Sequence, residues 1–70
     1  MEIRKGSVRS FDAGMYTATV QVAGSLATWL EGVPVSRSIP GAEMRVGRAC
    51  AVIHFDSANP RDAVVVAVWA

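Results

Sequence analysis

The chain holds one cysteine and one histidine in 70 residues. Cys50 alone cannot close an internal disulfide, and Cys50 with His54 falls short of the four ligands of a structural zinc site. Charge is scarce as well. Charged residues make up 19% of the chain and balance to a net +1. That balance offers no long-range pull on a nucleic-acid backbone, and Arg4-Lys5 is the longest basic run. No apolar run nears the roughly 20 residues of a membrane span, and Met1 to Gly6 lacks the apolar core of a secretory signal. The expectation is a cytoplasmic product with no signal-peptide export, no membrane partner, no metal and no cofactor.

Hydrophobic residues are abundant, at 51%, and mean hydropathy is +0.31. A disordered tail is excluded by that content. A chain of this size nevertheless buries only about 60% of the surface its unfolded form exposes, so scaffolds this small usually add staples or partners. With disulfide and metal removed, self-association is the remaining supplement. The apolar surplus agrees, because it would otherwise lie on the surface in patches.

The dominant period is two. Tyr16, Ala18, Val20 and Val22 alternate with Thr17, Thr19 and Gln21, a strand with one dry and one wet face. Gly6 to Phe11 is a shorter strand-like run, joined to it through the turn residues Asp12-Ala13-Gly14. A third, irregular strand is predicted over Thr28 to Ile39, where Gly32 and Pro34 deny a helix and confine the strand to an edge or bulge. Ala42 to Arg45 has room for one helical turn between Pro40-Gly41 and Gly47. Arg48 to Phe55 follows, with Ala49, Ala51, Ile53 and Phe55 on one face and Cys50, Val52 and His54 on the other. Both faces are largely apolar, which predicts the most buried strand. Asp56 to Asp62 reads as a loop, and Ala63 to Trp69 as a closing Val-rich strand.

Five strands in one small domain spanning residues 1–70 must manage their edges, and closure into a barrel does so. The expected fold is all-β, a five-stranded closed barrel of OB type, with an SH3-like barrel as the alternative. The helical turn between strands three and four favours the OB type.

Few residues suggest chemistry. His54 reads as a general base or ligand only if something orients its ring, and otherwise as a hydrogen-bonded core or interface histidine. Cys50 lies mid-strand among apolar neighbours, where a buried thiol is the default, although Arg48 shares its face. Asp56, Asn59 and Asp62 offer oxygen ligands over a short span but lack the ligand number of a calcium loop, and a capped turn explains them. No phosphate cradle and no nucleophile elbow is present. No catalytic residue and no small-molecule substrate is predicted. Of the five aromatics, Phe11 and Trp29 stand free of the core pattern. With Arg9 and Arg37 they could line a single-stranded nucleic-acid groove, the alternative function. Trp29 also suits the centre of a protein interface, as do Leu30 beside it and Val64, Val66, Val68 and Trp69 of the last strand.

Gly6-Ser7-Val8, Tyr16 to Val22, Trp29-Leu30 leading into Val33-Pro34-Val35, Val46 to Phe55, and Asn59-Pro60-Arg61-Asp62-Ala63-Val64-Val65-Val66 together resemble the OB domain of phage baseplate, tail-spike and tail-hub proteins. The similarity spans nearly the whole chain on short, permissive motifs. It implies a non-enzymatic assembly role, in which a small barrel packs around a symmetry axis as a homo-oligomer, a trimer favoured, or meets other proteins of a tail, baseplate or capsid surface. Family members usually continue into a needle or further domains, whereas this chain stops at Ala70, which argues against a membrane-piercing spike. Made in the host cytoplasm, such a protein would end in the virion. A fainter likeness is to the pentameric vertex proteins of bacterial microcompartments, which carry an insertion this chain lacks.

Overall fold

The computed structural model describes residues 1–23, 29–56, 59 and 62–70. Five strands form one sheet: β1 (Glu2–Asp12), β2 (Thr17–Val22), β3 (Trp29–Pro34), β4 (Ala49–His54) and β5 (Ala63–Trp69). The order is β3-β2-β1-β4-β5, and every ladder is antiparallel. A 3₁₀ turn, Gly41–Glu43, interrupts the return from β3 to β4. The expected helical turn is thus one residue earlier and shorter than Ala42 to Arg45.

β1 is the spine. Glu2 to Ser7 pair with β4 while Gly6 to Asp12 pair with β2, so Gly6 and Ser7 lie between two partners. Here a glycine is required by space. A Cβ on Gly6 would stand 2.6 Å from Cγ1 of Val20 and 2.8 Å from the backbone oxygen of Gln21. The core above it is small and aliphatic: Val8, Val20, Cys50, Val52 and Val65 are its most deeply buried members, with Ala18, Val33, Val35, Ile39, Met44 and Ala63 around them.

The sheet curls but does not close, which corrects the closed barrel expected above. Past the end of β3, Val35 makes one isolated parallel bridge to Val65, and the Ser36 N–H donates to the Val65 carbonyl at 2.9 Å. A ladder would need extended backbone on both sides. Beyond Val35 the chain turns away, the Ile39 N–H closing a turn onto the Ser36 carbonyl at 3.0 Å, ahead of Pro40, which has no N–H to give.

Three irregularities decide which side chains face the core. In β1 the register shifts between Val8 and Ser10, so Arg9 is an extra residue. Glu31 and Gly32 of β3 together oppose Thr19, with Gly32 at φ 66°. In β5, Val66 is extra between Val65 and Ala67. Each bulge reverses the in-and-out alternation beyond it.

Strand limits otherwise follow the pattern closely for β5 and within a residue for β2 and β4. β1 begins four residues before the expected Gly6, and β3 is shorter than Thr28 to Ile39. Thr28 and the Gly24-Ser25 break lie outside the described residues, as do Ser57, Ala58, Pro60 and Arg61 of the last loop.

Candidate functional site

The outer surface of the sheet divides into two unlike halves. Over β4, β5 and the start of β1, register turns Ile3, Lys5, Ala49, Ala51, Ile53, Val64, Ala67 and Trp69 outward, with the bulge residue Val66 among them. Ile3 is 68% exposed, Trp69 43%, Val66 38%, and Phe55, the residue after β4, 53%. Alternation on β4 marks Phe55 as a companion of Ile53, but the strand ends at His54 and leaves the ring in solvent. Together these side chains form a contiguous apolar set on adjacent strands, the kind of exposed patch that marks an interaction surface.

Over β2, β3 and the end of β1 the outer surface is polar. Ser7, Gln21 and Trp29 stand in one row, Ser10 and Thr19 in the next, and Asp12, Thr17 and Pro34 in a third. The Arg9 guanidinium lies over the Trp29 indole, 5.0 Å from its centroid.

The six residues read from sequence as an interface are therefore divided. Val64, Val66 and Trp69 share the apolar outer half. Leu30 and Val68 pair with Val20 and Cys50 and lie against the core. Trp29 belongs to the polar half. The four nucleic-acid candidates are divided too: Arg9 and Trp29 meet, whereas Phe11 turns inward and Arg37 lies elsewhere. Phe11 packs edge-to-face on Tyr16 at 5.2 Å, and the Arg37 guanidinium caps the Tyr16 ring at 5.0 Å. Tyr16 is five residues along β2 from Gln21, Trp29's neighbour, a run of about 17 Å.

That second cluster ties one end of the fold together. Asp12 Oδ1 accepts the N–H groups of Gly14 and Met15 at 2.9 and 3.3 Å, shaping the β1–β2 turn. Tyr16 then takes φ 55°, unusual for a side chain of its size, and its hydroxyl donates to the Ile39 carbonyl. The anchored ring holds the backbone there.

His54 is buried, and its Nε2 has no hydrogen-bond partner among the described residues. The Cys50 thiol is fully buried, and desolvation pushes its pKa above the usual thiol value. Arg48, which shares its parity, turns instead to Glu43 at 3.1 Å. Among the oxygen-bearing residues Asp56, Asn59 and Asp62, the Asn59 N–H donates to the Asp56 carbonyl at 2.9 Å and the Asp62 N–H to the Asn59 carbonyl at 3.0 Å. Among the described residues, no three of His, Cys, Asp and Glu gather as a metal-holding group, and no helix is long and apolar enough to cross a membrane.

Comparison with protein-family models, with curated proteins and with solved structures finds no match.

Proposed function

We propose that this chain is an OB-like assembly module without catalytic activity, which meets further copies of itself through the apolar outer half of its sheet. The observation that carries the reading is the uneven distribution of that surface: Ile3, Ile53, Val64, Val66 and Trp69 share one half with Lys5 as its one charge, while the other half is mostly hydroxyl, amide and charge around Trp29 and Pro34. Scattered apolar residues need no explanation, but a contiguous set on adjacent strands does. The OB-like assignment is supported by three features together. β1 pairs on both sides, β3 approaches β5 in parallel at Val35 and Val65, and the helical turn lies between β3 and β4. OB-type barrels are partly open five-stranded structures, so an incomplete seam is compatible with that type.

The phage setting is proposed on the motif resemblance alone, as are the favoured trimer and contact with other virion proteins. Tail or head genes on either side of the coding sequence would support the setting. Unrelated neighbours would remove its support.

The association itself is tested by charge placed on the face. Val66→Lys combined with Ile3→Lys is expected to leave the far-ultraviolet spectrum unchanged and reduce the light-scattering mass to that of one chain. An unchanged oligomer mass in the double variant would show that the contact lies elsewhere. The nucleic-acid reading is the weaker one, because Arg9 and Trp29 share a surface that neither Phe11 nor Arg37 joins.

A further inference from the structure

One cation stands within the apolar half of the sheet. Register puts Lys5, Ala51 and Ala67 side by side in one outward row, and Ser7, Ala49 and Trp69 in the next. Lys5 is exposed, and among the described residues neither a carboxylate nor an aromatic ring engages its ammonium. The alanines beside it are short, so the row is a shallow trough with the cation at one end. Trp69 stands at the opposite corner. Its ring, 43% exposed, faces outward because the extra residue Val66 reverses the alternation of β5. Within one chain the two are held apart, since β4 separates β1 from β5 and their positions lie on a diagonal of about 12 Å. The chain makes no contact between them.

We infer that this half of the sheet pairs with the same half of a second copy about a two-fold axis running along β4, so that Lys5 of each copy meets the Trp69 indole of the other. The inference rests on the self-association proposed above and specifies its geometry. Turning a copy about that axis lays its β5 over β1 and its β4 over β4. Lys5 then comes over Ala67 of the second copy, whose methyl leaves room for the lysine stem, and its ammonium is one row from the outward Trp69 ring. A lysine ammonium within about 6 Å of an indole centroid is attracted by the ring, more strongly where water is excluded. Symmetry makes the contact twice, because in a two-fold interface residue i meeting residue j requires j to meet i. Charge selects this axis over one running across the strands at the level of Lys5. That axis would set Lys5 against Lys5, two like charges in a contact that excludes water. No carboxylate is present among the described outward residues of this half to relieve them. Sheets that pack face to face keep their strands within about 30° of each other, which a two-fold along β4 satisfies. A pair departs from the trimer that the motif resemblance favours.

The test uses the full chain in sedimentation equilibrium, comparing the parent with Lys5→Glu, Lys5→Arg, and Lys5→Glu combined with Ala67→Lys. The parent is expected to show the mass of two chains. Lys5→Glu should weaken association about tenfold or more, because it sets a carboxylate against an indole and a methyl. Lys5→Arg should keep the parent's affinity, and adding Ala67→Lys to Lys5→Glu should restore it, since the exchanged charges face each other across the contact. Each variant should keep the parent's far-ultraviolet spectrum, which separates lost association from lost fold. With Trp29→Phe, which lies on the other half, Trp69 emission should change across the same dilution. Association at the parent's affinity in Lys5→Glu, no recovery on adding Ala67→Lys, unchanged Trp69 emission or a mass of three chains would overturn this pairing and leave self-association standing. The mass of one chain at every concentration would overturn both.

Discussion

Gly6→Ala should be among the most damaging single-atom-scale changes in this chain. The added methyl would sit 2.6 Å from Val20 Cγ1 and 2.8 Å from the Gln21 carbonyl oxygen. Val20 is itself fully buried. The carbonyl belongs to a strand paired on both sides. Relief therefore requires β1 to move away from β2, and overpacking of this kind costs about 1–3 kcal/mol. The backbone contact places Gly6 near the upper end. A 70-residue domain has roughly 3.5–10 kcal/mol of stability in all, so the variant keeps only part of its margin. At about 4–8 °C per kcal/mol for a domain of this size, the thermal midpoint should fall by more than about 10 °C. Gly32→Ala is the control: the methyl meets nothing, and only the φ of 66° is unfavourable, a cost of about 1–2 kcal/mol. Circular-dichroism melts of the two variants read the difference. A Gly6→Ala midpoint within a degree or two of the parent, or one above that of Gly32→Ala, would refute the close approach of β1 to β2.

Three further outcomes follow from the interior. Burial raises the Cys50 thiol above its unfolded value, so its contribution to stability is complete below the unfolded thiol pKa and is lost as pH rises through the folded one. Urea midpoints should therefore decline at alkaline pH, and Cys50→Ala should flatten that slope even though it lowers stability at neutral pH. His54→Leu removes a buried nitrogen that lacks a partner among the described residues. It should leave stability unchanged or raise it by up to about 2 kcal/mol in denaturant titration, and a loss of that size would reveal a bond to His54. Tyr16→Phe deletes the hydroxyl that donates to the Ile39 carbonyl and should cost about 1 kcal/mol, seen as faster hydrogen exchange in the β1–β2 turn.

The parts of the fold visible in the sequence are those where alternation runs unbroken. β2 shows it in Thr17 to Val22, whose burial alternates without a fault, and β4 shows it in Ala49 to His54. The start of β1 was hidden because Glu-Ile-Arg-Lys is mostly charged, and its pairing to β4 is bought by backbone bonds at an end where side chains reach solvent. Side-chain direction failed wherever a bulge intervened, since no residue type announces one reliably. Counting from Val8 places Phe11 outside, but the extra Arg9 turns it onto the core. Counting from Val64 puts Val66 and Val68 together outside, but the extra Val66 sends Val68 inward and Trp69 outward. The Gly32 bulge leaves both Leu30 and Val33 facing the core. Closure depends on how far the strands curl, and the sequence pattern carries no measure of that.

The central claim is that the apolar half of the sheet is covered by another copy of this chain. Sedimentation of the wild-type protein, followed over about a hundredfold range of micromolar concentration, addresses it most directly. The account predicts a species of two or more chains that dissociates on dilution. A particle of 7.4 kDa at every concentration, the mass of one chain, would contradict it.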